Sequence, residues 1–139
     1  MTLIEEKQLI VEKLVAAIPE ATIETEFERL FTEPEGKLVV LYNTGTYSKT
    51  DKTPIQSRLK KKRWTISVTT RDPLKEDIAL NYLEKIEAAL HGLKVGLEER
   101  ERLFPDNERF EEFIQGTEVY AYKIDFVAEQ VKFINPANA

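Results

Sequence analysis

The first eighteen residues carry helical periodicity. Ile10, Leu14, Ala17 and Ile18 recur at three- and four-residue spacing within Leu3–Ile18, with Lys7 and Val11 at the margins of the stripe. Thr2, with Glu5 three residues on, forms a capping-box sequence, and Glu5 and Glu6 suit the positive end of a helix dipole. Pro19 stops the helix, because the residue before a proline is pushed out of the α region. From Ala21 to Phe31, Ile23, Thr25 and Phe27 alternate with acidic or polar residues, which predicts a short edge strand. Pro34-Glu35-Gly36 then reads as a turn.

Lys37–Tyr42 is a continuous apolar run, the pattern of a central strand covered on both faces, and it places Val39 and Leu41 in the core. Asn43 to Pro54 has the composition of a loop. Further on, Trp64, Ile66, Val68 and Thr70 alternate with Thr65, Ser67, Thr69 and Arg71, a half-buried strand of period two. Carrying its buried phase backwards reaches Lys62 and Lys60, which an apolar core does not accept. The core is therefore expected to end at Trp64, and residues 43–63 to project as a mobile arm.

A second helix is predicted over Lys75–Leu90, with Ile78, Tyr82, Ile86 and Leu90 on one stripe. Gly92 suits the position just past its end, with His91 over the last carbonyls. Residues 93–116 have a weak pattern and read as an irregular connection. Thr117–Phe126 is another strand, with Tyr120, Tyr122, Ile124 and Phe126 on one face. Val131 and Phe133 fall in the opposite phase, which predicts a bulge near Ala128–Gln130. Residues 134–139 read as a frayed tail. The sum is a single α+β domain over 1–139, with two helices packed on one face of a mostly antiparallel sheet of about four strands.

Composition removes most catalytic templates. The 139 residues include no Cys and one His, His91, so thiolate chemistry, disulfides and Cys-built zinc sites are excluded. No apolar run approaches the ~20 residues that span a bilayer, and no signal peptide precedes Glu5-Glu6-Lys7. Gly45 stands alone, so there is no phosphate loop. Glu24 and Glu26 share one strand face, but a metal-dependent enzyme needs further converging ligands. The reading is no catalytic residue, no cofactor and no metal.

Charge is unevenly placed. The net of −5 divides into −6 over residues 1–35, +8 over 36–75 and −7 over 76–139. The basic middle can meet an acidic protein surface, nucleic acid or a second copy of the chain. Arg58, Lys60, Lys61, Lys62, Arg63 and Tyr47 are candidate interface residues on the arm. Glu24, Glu26 and Glu28, with Glu98–Glu101, are candidate receiving groups. A nucleic-acid-binding accessory protein using 58–63 is the alternative, with a small metal-dependent enzyme behind it. The overall acidity speaks against dedicated nucleic-acid binding.

The order of elements resembles a known family. An N-terminal amphipathic helix precedes an acidic strand and Leu38-Val39-Val40-Leu41-Tyr42. Gln56-x-Arg58 leads into a Trp-x-Ile-x-Val strand ending Thr70-Arg71-Asp72. A helix ends Ala89-Leu90-His91-Gly92-Leu93, and a Tyr-x-Tyr-x-Ile-x-Phe strand follows. Over residues 3–126 this resembles the minor tail proteins of Mu-like phages and prophages, which are similar to phage tail terminator proteins. The Lys60-Lys61-Lys62 run departs from that pattern. The resemblance implies a structural virion protein, made in the bacterial host cytoplasm and placed on the tail. It implies a homo-oligomeric ring, a hexamer in the family, that caps the tail tube and meets the tube protein and a head-completion protein. It implies no enzyme activity, cofactor or membrane.

Overall fold

A computed structural model describes residues 2–24, 36–48, 57–71, 76–114 and 119–133. Helix α1 spans Leu3–Ala17 and strand β1 Thr22–Glu24. Strands β2 (Lys37–Ser48) and β3 (Ser57–Arg71) follow, then helix α2 (Glu76–Leu90), β4 (Phe104–Ile114) and β5 (Val119–Phe133). The strand order is β1-β2-β3-β5-β4. The four long strands are antiparallel, and the short β1 adds in parallel to the edge of β2. Both helices pack on one face of this sheet. The α+β layer is as expected, with β1 as a fifth strand.

Local chemistry sets the helix ends. Thr2 is the N-cap of α1: its Oγ1 accepts from Glu5 N at 3.1 Å, while Thr2 N donates to Glu5 Oε1 at 3.2 Å. Ile18, before Pro19, leaves the helical region at φ −132°, and its N–H donates to Leu14 O at 2.8 Å. Gly92 follows α2 with φ +76°, the left-handed conformation that ends many helices. Gly36 enters β2 at φ +113°, and a Cβ there would stand 2.6 Å from Tyr82 Cε2.

The core fills from α1 (Ile10, Leu14, Ile18), α2 (Tyr82, Leu83, Ile86, Leu90) and the helix-side phase of β2, β3 and β5. Trp64, Ile66, Val68, Tyr122, Ile124 and Phe126 are buried as the sequence predicts. In β2 the phase is the other one. Leu38, Val40 and Tyr42 stand opposite Val68, Ile66 and Trp64 on the helix side. Val39 and Leu41 lie opposite Ser67 and Thr65 on the helix-free side; Val39 is buried outside the core cluster and Leu41 is half-buried. An unbroken apolar run cannot reveal its own phase. Ile78 is also half-buried, at the edge of α2.

Three further readings are corrected. Residues 43–48 are not loop but the second half of β2, paired with Leu59–Arg63. Residues 93–116 contain β4 and a tight turn joined by the Lys94–Arg102 bridge. That turn is knit by Val95 N to Glu101 O (2.7 Å) and Leu103 N to Leu93 O (2.9 Å). Strand β5 pairs with β3 without interruption from Val119 to Phe133, and Ala128 continues the buried phase, so there is no bulge at 128–130. The irregularities lie in β2 at Asn43 and in the edge strand β4 beside Pro105 and Phe110. Charged, bulged and carrying a proline, β4 is a guarded edge. The predicted edge strand beyond Glu24 and the tail 134–139 lie outside the described residues.

Two outcomes follow. Gly36→Ala is expected to destabilise by about 1–3 kcal/mol, from the left-handed φ and overpacking on Tyr82, read as a lower melting temperature. The Glu5 carboxyl is held below its usual pKa by the Thr2 backbone N–H and hydroxyl. Its contribution is therefore complete above the ordinary carboxylate range and is lost as pH falls through the lowered value. Glu5→Gln should remove that part of the acid dependence of helical circular dichroism.

Candidate functional site: the arm and the helix-free face

The sheet outruns its helices. Beyond Trp64 the helix-side phase of β3 continues to Lys62 and Lys60, flanked by Gly45 and Tyr47 of β2 and by Ala128 and Gln130 of β5. The expectation that these lysines leave the core is overturned. Lys62 is 1% exposed and Lys60 8%. Lys62 Nζ donates to Oε1 of Glu6 at 2.7 Å, and Glu6 is itself buried in the first turns of α1. Burying a lysine is tolerated because a carboxylate 56 positions away is buried with it. Glu6 was visible in the sequence only as a dipole-complementing acid; nothing there announces its partner.

Lys60 is held differently. Its Nζ stands 5.8 Å from the Tyr42 ring centre and 5.5 Å from that of Tyr47, within reach of both π faces. Burial opposes the charged form, but the phenols of Tyr47 and Tyr42 outweigh it and raise the Lys60 pKa above the ordinary lysine value. The bulge at Asn43 makes this cradle. By adding one residue it shifts the alternation of β2, bringing Gly45 and Tyr47 beside Lys62 and Lys60. A Cβ at Gly45 would collide with the Tyr42 hydroxyl and stand 2.8 Å from Lys60 Cε.

The helix-free face carries a polar network centred on Asp125, which is 4% exposed. Asp125 Oδ1 accepts from Thr65 Oγ1 at 2.7 Å, and Oδ2 accepts from Arg109 Nη1 at 2.9 Å and Arg63 Nη1 at 3.2 Å. Asn43 Nδ2 donates to Thr65 Oγ1 at 2.9 Å. Arg63 also meets Asp106 at 2.6 Å, and Arg109 meets Glu111 at 2.7 Å. Four strands are thus tied across their surface.

The candidate interface residues are not brought together as one basic strip. Lys60 and Lys62 point to the helix side, Arg63 is spent on Asp125 and Asp106, Arg58 is half-buried and Lys61 is exposed on the helix-free side. Tyr47 is 56% exposed. The backbone of Glu24 ends β1; Glu26 and Glu28 lie outside the described residues. In the 98–101 acidic run, Glu98 pairs with Arg100, Glu99 with Arg102 and Lys94, and buried Glu101 accepts from Glu98 N at 3.0 Å. Among the described residues no three His, Asp or Glu side chains group as metal ligands would. None of the described helices is long and apolar enough to cross a membrane. His91 is exposed and meets Phe104 edge-on at 5.7 Å.

The Lys62–Glu6 pair generates a direct test. Lys62→Met alone leaves a buried, unpaired carboxylate and is expected to cost about 3–5 kcal/mol in urea unfolding. Adding Glu6→Leu should recover most of that loss. Lys61→Glu, at an exposed position, is expected to leave the urea unfolding midpoint unchanged.

A search of curated protein sequences finds no match. A solved structure shares the fold: a chain of the virion of a native gene transfer agent particle superposes with a TM-score of 0.58. The two are 14% identical, over 86% of this chain and 90% of that one. The model of the Gp37 protein family matches residues 10–138, from the middle of α1 through β5, so the chain belongs to the Gp37 protein family.

Proposed function

We propose that this protein is a structural component of a phage-like virion, and that it forms a homo-oligomeric ring closing the tail tube where the tube meets the head. One observation carries the reading. The fold recurs in a chain of a virion particle over 86% of this chain and 90% of that one. Membership of the Gp37 protein family is in keeping with it. So is the sequence resemblance to minor tail and tail terminator proteins. The geometry is that of an assembly module. Lys62, Arg63 and Arg109 are consumed in internal pairs, and the β2–β3 ladder extends past the two-layer body. The tube protein and a head-completion protein are the expected partners, and no step of bond-making chemistry is assigned to the chain.

The test is assembly. Light scattering after gel filtration, over a range of concentrations, is expected to give a closed oligomer, a hexamer by the resemblance. Particles made without the protein should carry tails of uncontrolled length when viewed by electron microscopy. A chain that is monomeric at all concentrations, with tails of normal length in its absence, would sink the proposal.

A further inference from the structure

We draw no further inference here: the strongest candidate, the outer edge of β2 from Val40 to Ser48, which runs beyond the residues that β1 pairs with and carries neither a charged side chain nor a proline, is a sheet edge for which nothing among the described residues shows what covers it.

Discussion

The helices are shorter than the strands they cover, and much else follows from that mismatch. A 15-residue helix is about 22 Å long, whereas the 15 residues of β3 extend for about 50 Å. Side chains of β3 keep alternating along its whole length, so its helix-side phase passes from Val68, Ile66 and Trp64 to Lys62 and Lys60. The first lysine falls under the start of α1 and must be paired there; Glu6 does so. The second falls beyond the helix and must be covered from its own sheet; Tyr42 and Tyr47 do so. The bulge at Asn43 is what allows β2 to offer Tyr47 and Gly45 on that side.

Pairing of this kind specifies more than it stabilises. A buried ion pair recovers the desolvation of its charges and little beyond it. Its consequence is register. A slip of one residue in β3 would carry Lys62 to the helix-free side and strand Glu6 without a partner. The same slip would part Thr65 and Arg63 from Asp125 on the other face. Two polar clusters on opposite faces, neither compatible with a shifted ladder, hold β3 between β2 and β5.

Much of this was legible from residue order alone. Period two in Trp64–Thr70 and Tyr122–Phe126, the Thr2–Glu5 cap and Gly92 gave true elements and true faces, because each signal is local. The failures came where the deciding contact is distant. Lysines in a buried phase looked impossible without knowledge that Glu6 sits above them. The loop-like composition of Asn43–Ser48 yielded to pairing with Leu59–Arg63, a tertiary override of propensity. Strand β4, with Pro105 and two bulges, shows no alternation to read, and Asp125 looked like an ordinary outward residue rather than the hub of a network. The basic run suggested a charged outer strip for the same reason, while the structure buries Lys60 and Lys62 and pairs Arg63 with Asp125 and Asp106.

That inversion changes how assembly should behave. An arm bearing five free cations would find acidic surfaces by long-range attraction and lose them as salt rose. Here Lys62 and Arg63 are spent within the chain, Lys60 is shielded by two rings, and the outward face is aromatic. Attraction between such a surface and an apolar partner would rest on apolar area, which salt does not screen. The paired strands also hold Tyr47 in place, so a contact made through it would order few additional groups. Contacts of this type would suit the ring proposed above, because they persist as ionic strength changes.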